Sequence, residues 1–587
     1  MNKSKDRRVV ALLAAIAVFA CSMLVLAATL TSGFSVKVQQ VNWVTDDGVN
    51  LSGTVFVPKT ATPETPAAGV LVCPGGNTPH NFYASYCIEL SRRGYVVFSY
   101  DYYGTVSSEM STAGASGAVA AMKYLSSLSF VDSSRLASTG HSNGGGQAAA
   151  AITCEWAAPA QQKAVLFIGC GVAGLSDDVL ADYEGINVGA VWGKLDECGQ
   201  GVFWDVWHTD RLNFGTMCDL TGTTSDTIQP GQWYGDPQQN TGRIVFTPNT
   251  FHSLSNIMPG SVTDILGYLD ATLPGNLTGL APSSHIYLWQ ELAVLLAALS
   301  LCFMIFPAGS LLLDSGFFAS LKRPVPQASA KADLKFWVFL LVPGILSALL
   351  VKSTIMQGQV LLGTFPHFFK VQSTNGFIWW FFLSALIGLG FTALRCAVDK
   401  SFDRAMFLGH FKTTPADLGK AALFGLGALA VPYLCALFGE RATGWYGRIF
   451  QTYLASVSAG RVLQYVIYFV MFAALFTVYA AIQADGLRLK NEKPVVTYLL
   501  TLLANALPAV LFLGHLYGML VLTHVTLING REMSRAQGAM MGMLLLYFII
   551  AAVVTRFYKK SGNIYVVAMT NAAFVAWLSV NTPQLMV

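Results

Sequence analysis

The chain has 587 residues, of which 53% are hydrophobic and only 12% charged, with a mean hydropathy of +0.51. That is too apolar for a soluble protein of this length. The net charge of +4 conceals two parts: residues 31–285 carry 10 Lys and Arg against 21 Asp and Glu, residues 286–587 carry 22 against 10, and no basic run interleaves with aromatics as a nucleic-acid site would.

Residues 3–8 include Lys3, Lys5, Arg7 and Arg8, and an apolar run follows over residues 9–30. The run is long enough to cross a bilayer. A cleaved signal peptide is the rival reading, because Leu26-Ala27-Ala28 resembles a cleavage site, but the length of the run favours a retained anchor. Either way the four basic residues stay inside and the chain after residue 30 lies outside the cytoplasm.

Residues 31–280 are predicted to form one extracytoplasmic α/β domain. The runs 68–73, 95–100, 164–168 and 188–192 are continuously apolar, as strands covered on both faces are. Helical segments at 82–93 and 114–128 lie between them, which implies right-handed crossovers and a doubly wound, mostly parallel sheet. Six cysteines fall here: Cys73, Cys87, Cys154, Cys170, Cys198 and Cys218. An oxidising compartment permits disulfides, with Cys198–Cys218 as a loop staple, and buried free thiols are the equal alternative.

Within this domain Gly140-His141-Ser142-Asn143-Gly144 fits G-x-S-x-G, the turn that lifts a nucleophilic serine between strand and helix. A strand-like run at 135–139 precedes it and a small-residue helix at 145–152 follows. A serine hydroxyl needs a base within reach, usually a histidine held by a carboxylate. Asp196 follows the strand at 188–192, and His252 follows the strand at 243–247, in the order Ser, Asp, His. His252 is the expected base and Asp196 the group that orients it, with Glu197, Asp205 and Asp219 as nearby substitutes. Asn143 offers one backbone N–H to an oxyanion, and Gly76, in the turn Cys73-Pro74-Gly75-Gly76-Asn77, offers the other. Asn77 and His141 flank these groups and are expected to touch substrate. Residues 198–240 hold Phe203, Trp204, Trp207, Phe214, Trp233 and Tyr234. They form either a lid, with Trp204 and Trp207 as an acyl-accepting wall, or a surface segment whose aromatics pack on the core.

Taken together, Cys-Pro-Gly-Gly-Asn-Thr from Cys73, the run 90–104, Gly-His-Ser-Asn-Gly, Gly193-Lys-Leu-Asp196 and Phe251-His252 resemble the α/β-hydrolase superfamily, in its dienelactone-hydrolase-like and prolyl-oligopeptidase-like branches. The resemblance covers roughly residues 45–275. It implies Ser142 as nucleophile, Asp196 as acid, His252 as base, and Gly76 with Asn143 as oxyanion donors. Pro74 stands where many relatives carry a histidine, which bears on the second donor but not on the triad. The superfamily spans esterases, lipases, peptidases and acyltransferases, so it does not name a substrate.

Residues 281–587 read as an all-α transmembrane domain of about eight or nine spans, near 286–313, 336–353, 377–394, 421–439, 462–484, 495–528, 538–555 and 564–580. The run 495–528 is too long for one upright helix and is expected to be a hairpin broken near Gly514 to Gly518, giving nine or ten spans with the anchor. The loops 314–335, 395–420 and 485–494 are basic and fall inside if residues 31–280 are outside. His515 and His524 lie within an apolar stretch, and Glu291, Lys352 and Arg461 near span ends. Snorkelling or a helix carbonyl accounts for such residues more readily than a pathway does.

The sequence therefore predicts a multi-pass membrane serine hydrolase cleaving an ester or related acyl bond. Its expected partners are a small-molecule or lipid-like acyl substrate and membrane lipids. No cofactor, metal or nucleic acid is expected, since no P-loop, Cys-x-x-Cys pair or H-E-x-x-H occurs. Two alternatives use the same residues differently. One is an acyltransferase with the same triad; the other is a transporter or sensor whose outer domain only binds ligand, in which His515 or His524 would matter and Ser142 would not.

Overall fold

The computed structural model describes residues 3–581, except 77, 104–107, 109–116, 153–161, 174–177, 199–214, 225–226, 329, 401, 451, 491–492, 524–526 and 528–529. Helix α1 (Lys3–Leu30) leads into an antiparallel pair, β1 (Val36–Val44) and β2 (Asn50–Pro58), which the sequence reading had not resolved. Six strands follow: β3 (Ala67–Cys73), β4 (Val96–Tyr100), β5 (Val131–His141), β6 (Gln162–Ile168), β7 (Asn187–Val191) and β8 (Arg243–Phe246). These six run parallel, β2 meets β4 antiparallel, and the order across the sheet is β1-β2-β4-β3-β5-β6-β7-β8.

The connecting helices are α2 (Ala84–Ser91), α3 (Ala118–Ser127), α4 (Gly144–Ile152), the short α5 (Val179–Asp182) and α6 (Gly215–Thr221), and α7 (Pro259–Thr272). Alternation along β3 shows how the sheet is covered. Val70 and Val72 join the core under α2 and α7, whereas Leu71 and Cys73 join the core under α3 and α4. Both faces are dry, so the strands are continuously apolar.

The second half is a helical bundle: α8 (Tyr287–Leu313), α9 (Leu334–Gly363), α10 (Gln372–Val398), the short α11 (Arg404–Gly409), α12 (Pro415–Thr443), a hairpin of β9 (Gly447–Ile449) and β10 (Thr452–Leu454), then α13 (Val462–Gly486), α14 (Pro494–Thr523), α15 (Gly530–Ser561) and α16 (Ile564–Asn581). With α1, nine helices among the described residues are long and apolar enough to cross a membrane. The expected hairpin at 495–528 is not there. Helix α14 runs unbroken through Pro508, Gly514 and Gly518. Thirty residues make a helix of about 45 Å, which a tilted crossing accommodates. An apolar surrounding also penalises any turn that frees backbone groups.

Helix α1 packs along α8, where Arg8 pairs with Asp314 at the end of α8 away from the sheet. The three basic loops gather on that same end. Arg323 donates to Lys412 O at 2.8 Å and Arg488 to Pro326 O at 2.9 Å. The sheet sits on the opposite end, and its junction with α8 is specific. Buried Glu89 accepts from Arg92 and Arg93 at 2.8 Å, and its other oxygen caps α8 by accepting from Ile286 N at 2.6 Å and Tyr287 N at 3.0 Å.

Candidate active site

Ser142 occupies the turn between β5 and α4, with φ of +55°, a left-handed conformation unusual for a residue with a Cβ. Its N–H donates to Ile168 O at 2.8 Å. The turn closes because both flanking positions are glycine. A Cβ on Gly140 would stand 1.9 Å from Gly144 O, and one on Gly144 would stand 2.3 Å from Cys73 O. No other residue fits such an approach.

The structure brings Asp196 and His252 together. Asp196 lies in the turn after β7 and His252 in a single 3₁₀ turn, His252–Leu254, after β8. His252 Nδ1 donates to Asp196 Oδ2 at 2.9 Å, with both side chains buried. Burial disfavours the imidazolium, but the Asp196 carboxylate, by charge and hydrogen bond, and the Glu197 carboxylate outweigh it and raise His252 to about 8. Gly169, with φ of +59°, passes close by: a Cβ there would lie 3.0 Å from His252 Nδ1 and 3.3 Å from Asp196 Oδ2. Ser142 and His252 line one cavity, with no hydrogen bond between them in this state.

Gly76 and Asn143 are neighbours, since a Cβ on Gly76 would lie 3.8 Å from that of Asn143. Among the described residues neither backbone N–H has an acceptor, which leaves both free for an oxyanion. Gly75 N–H is taken by Tyr83 Oη at 2.5 Å, and Pro74 O accepts from Tyr102, so the proline turn is held by tyrosines. His141 is more than a flank. Its ring packs 4.7 Å from that of His252, and Nε2 donates to His252 O at 3.1 Å. Burial and the neighbouring His252 hold its pKa well below the usual value, so it is neutral.

Several expectations change. Glu197 accepts from His252 N at 2.7 Å and Ser253 N at 3.3 Å, bracing the loop that carries His252 from behind. Asp219 is exposed on α6. No disulfide joins Cys198 to Cys218, so the staple does not form, and Cys73, Cys87 and Cys170 are unbridged thiols as well. Trp233 stacks on Tyr268, 6.0 Å between centroids, and so packs on the core. Asn77, Cys154, Phe203, Trp204, Asp205, Trp207, Phe214 and His524 lie outside the described residues. His515 is exposed on α14, away from the cavity, and Lys352 is exposed on α9. Glu291 forms an ion pair with Arg448, and Arg461 donates to Val580 O. Asp196, Cys198 and His252 place three ligand atoms within 4.8 Å of one another. The imidazole nitrogen there is already committed to Asp196, which is hydrogen-bond rather than metal-site geometry.

Strand order, the single antiparallel contact of β2 with the parallel set, and a serine turn between β5 and α4 decide the architecture. It is an α/β-hydrolase fold. The profile of the prolyl oligopeptidase family matches residues 85–163. No curated protein matches the chain. Among solved structures it is similar to a hypothetical protein of Pseudomonas aeruginosa, at 19% identity over 25% of this chain and 47% of that one, with a TM-score of 0.21. It is also similar to a dienelactone hydrolase-like promiscuous phosphotriesterase from metagenomic libraries, at 16% identity over 46% of this chain and 98% of that one, TM-score 0.28. A third is an esterase of Pyrococcus furiosus, at 12% identity over 41% and 94%, TM-score 0.29. The chain spans about half the length of the first solved structures it matches.

The cavity in front of Ser142 belongs to the hydrolase domain on one side only. Its other walls come from the bundle: Gln359 of α9, the first turn of α10, Phe450 between β9 and β10, the first turns of α15, and Val575 and Leu578 of α16. Its empty volume is about 1340 Å³, solvent at the mouth included. The bundle also reaches the base loop. Tyr517 of α14 donates to Glu197 Oε1 at 3.1 Å and Gln537 of α15 donates to it at 3.2 Å. Sequence reasoning missed Gly169, Tyr517, Arg535 and Gln537. Polar residues inside apolar spans were the available signal for the last two, but nothing local ties them to residue 252.

Proposed function

We propose that the chain is a multi-pass membrane serine hydrolase that cleaves an ester or related acyl bond of an amphipathic substrate. The observation that carries this reading is the shared cavity, in which the serine turn and the buried His–Asp pair face helices long and apolar enough for a membrane. Ser142 Oγ attacks the acyl carbon as His252 Nε2 takes its proton. Asp196 holds Nδ1–H and stabilises the imidazolium. The tetrahedral oxyanion is received by the N–H groups of Gly76 and Asn143. His252 then protonates the leaving alcohol, and water, activated by the same imidazole, releases the acyl group from Ser142. Phe377 of α10 with Met543 and Leu546 of α15 offers the acyl chain an apolar wall.

The gathering of the three basic loops and Arg8 at the end of the bundle opposite the hydrolase domain supports a catalytic domain outside the cytoplasm. A fluorophosphonate probe in intact membranes tests the reading: the wild type is labelled and Ser142→Ala is not. An unlabelled wild type overturns it. A Ser142→Ala chain with unimpaired function would instead favour a transporter or sensor. Product analysis with and without an acceptor alcohol separates hydrolysis from acyl transfer.

A further inference from the structure

Arg535 lies in the first turns of α15, half-buried, and lines the same cavity as Ser142. Its Nη1 donates to Gln359 Oε1 at 2.9 Å, a neutral oxygen on a buried side chain of α9. Other buried arginines are better served. Arg93 pairs with Glu89, Arg395 with Asp399 and Arg448 with Glu291, while Arg243 is held by the carbonyls of Tyr183, Ile186 and Gly242. Among the described residues no acidic side chain lines the cavity. Behind its wall, Glu197 already accepts from His252, Ser253, Tyr517 and Gln537, and Asp196 from His252.

A guanidinium has five donors in a planar fork suited to carboxylate or phosphate oxygens. Half-buried and without an acidic partner among the described residues, this one has donors to spare for an anion. The adjacent wall adds to its field. The first turn of α10 presents Gln372, Ser373 and Thr374 to the same space, where a 27-residue helix carries its positive end. Phe377, Met543 and Leu546 line the same cavity.

On the hydrolase reading above, we infer that the substrate is an acyl ester with an anionic headgroup, phosphate or carboxylate, received by Arg535. The ester meets Ser142, the chain follows the apolar wall and the anion closes the charge that the cavity leaves open.

The test uses the full-length protein in detergent with three esters of one acyl chain: a neutral 1-acylglycerol, a 1-acylglycerol 3-phosphate and an acyl ester of glycerate. The readout is the ratio of kcat/KM for each anionic ester to that for the neutral one. The wild type is expected to favour at least one anionic ester by tenfold or more, and the ester it favours names the source of the charge. Arg535→Gln is expected to lower that ratio roughly 10- to 100-fold, the loss of a charge-assisted contact. Ratios near one in the wild type, or a ratio unmoved by Arg535→Gln, overturn the inference. Where Arg535→Gln no longer takes the fluorophosphonate probe, Arg535→Lys decides: a threefold or greater fall supports the anion site and an unchanged ratio overturns it. A labelled wild type with ratios near one refutes the anion site alone, whereas an unlabelled one refutes the hydrolase reading beneath it.

Discussion

Replacing Glu197 by Gln separates what the bundle does for His252, the proposed base, from what the hydrolase fold does alone. Glu197 takes His252 N on one oxygen at 2.7 Å, and on the other Ser253 N, Ser253 Oγ, Tyr517 Oη at 3.1 Å and Gln537 Nε2 at 3.2 Å. An amide keeps the shape but turns one acceptor into a donor, so at least one of these contacts becomes a clash of donors. A hydrogen bond to a charged group contributes about 1.5–3 kcal/mol. If that loss falls on the placement of His252, the plateau of kcat/KM drops by roughly 10- to 100-fold. The pH profile moves independently. In the proposed mechanism the base acts as free imidazole, so wild-type kcat/KM should fall as pH drops below about 8, the value to which Asp196 and Glu197 together raise His252 against burial. Removing one of the two carboxylates lowers that pKa and shifts the limb toward acid. The expected signature is thus a lower plateau with a limb displaced to lower pH, measured on a soluble ester from pH 5 to 10. Tyr517→Phe, which leaves the carboxylate charged, should lower the plateau by a few-fold with much less displacement. A Glu197→Gln profile that keeps both plateau and limb would refute the idea that the bundle braces the base.

Asp196→Asn should lower kcat about 10⁴-fold through loss of the correct tautomer, with probe labelling of Ser142 slowed in proportion; labelling at the wild-type rate would remove Asp196 from the mechanism. Gly169→Ala adds a Cβ 3.0 Å from His252 Nδ1 in a left-handed conformation, which costs about 1–2 kcal/mol of stability and pushes the acid and base apart. Its kcat should fall while KM changes little, and an unchanged kcat would count against the pair. Glu291→Gln leaves the guanidinium of Arg448, stacked 5.0 Å over Phe82, without its counter-charge; with Arg448 buried and Glu291 half-buried the loss costs about 1–3 kcal/mol, read as a fall in Tm in detergent, and an unshifted Tm would show that the pair contributes nothing to stability.

How far the sequence carried the reading depends on how local each feature is. The serine turn is readable because Gly140 is forced by its approach to Gly144 within one pentapeptide, although Gly144 is itself forced by Cys73 at the end of the neighbouring strand. Asp196 and His252 could be named because each follows an apolar strand at the sheet end where Ser142 stands. The β1–β2 hairpin escaped notice because its alternating strand sits at a sheet edge without the continuous apolar run used to find the others. The break expected at Gly514 and Gly518 followed from a run too long for one upright crossing, whereas a single tilted helix accommodates the same length. The contacts of Tyr517 and Gln537 with Glu197 span 320 and 340 residues, and no spacing in the sequence announces them. Arg535 carried a hint, a cation beside an apolar span, but its neutral partner Gln359 on another helix emerges only from the packing.

The amount of chain given to helices follows from the same contacts. A tether needs one helix, and α1 is long enough to be one. Here the bundle closes the cavity, braces the base loop through Glu197 and caps its own first helix on Glu89 of the hydrolase domain. Cutting the chain to residues 31–280 therefore removes more than an anchor. Glu197 loses Tyr517 and Gln537, and Glu89 loses the N–H groups of Ile286 and Tyr287. The core under α2 and α7, continuous with α8, opens to water. Two buried carboxylates that each lose two donors, together with an uncovered apolar face, weigh heavily on a domain of ordinary stability. The fragment should aggregate or fail to take the fluorophosphonate probe in the absence of the bundle. A soluble fragment labelled as fast as the full chain would show that the bundle serves only delivery, and would remove it from the catalytic argument altogether.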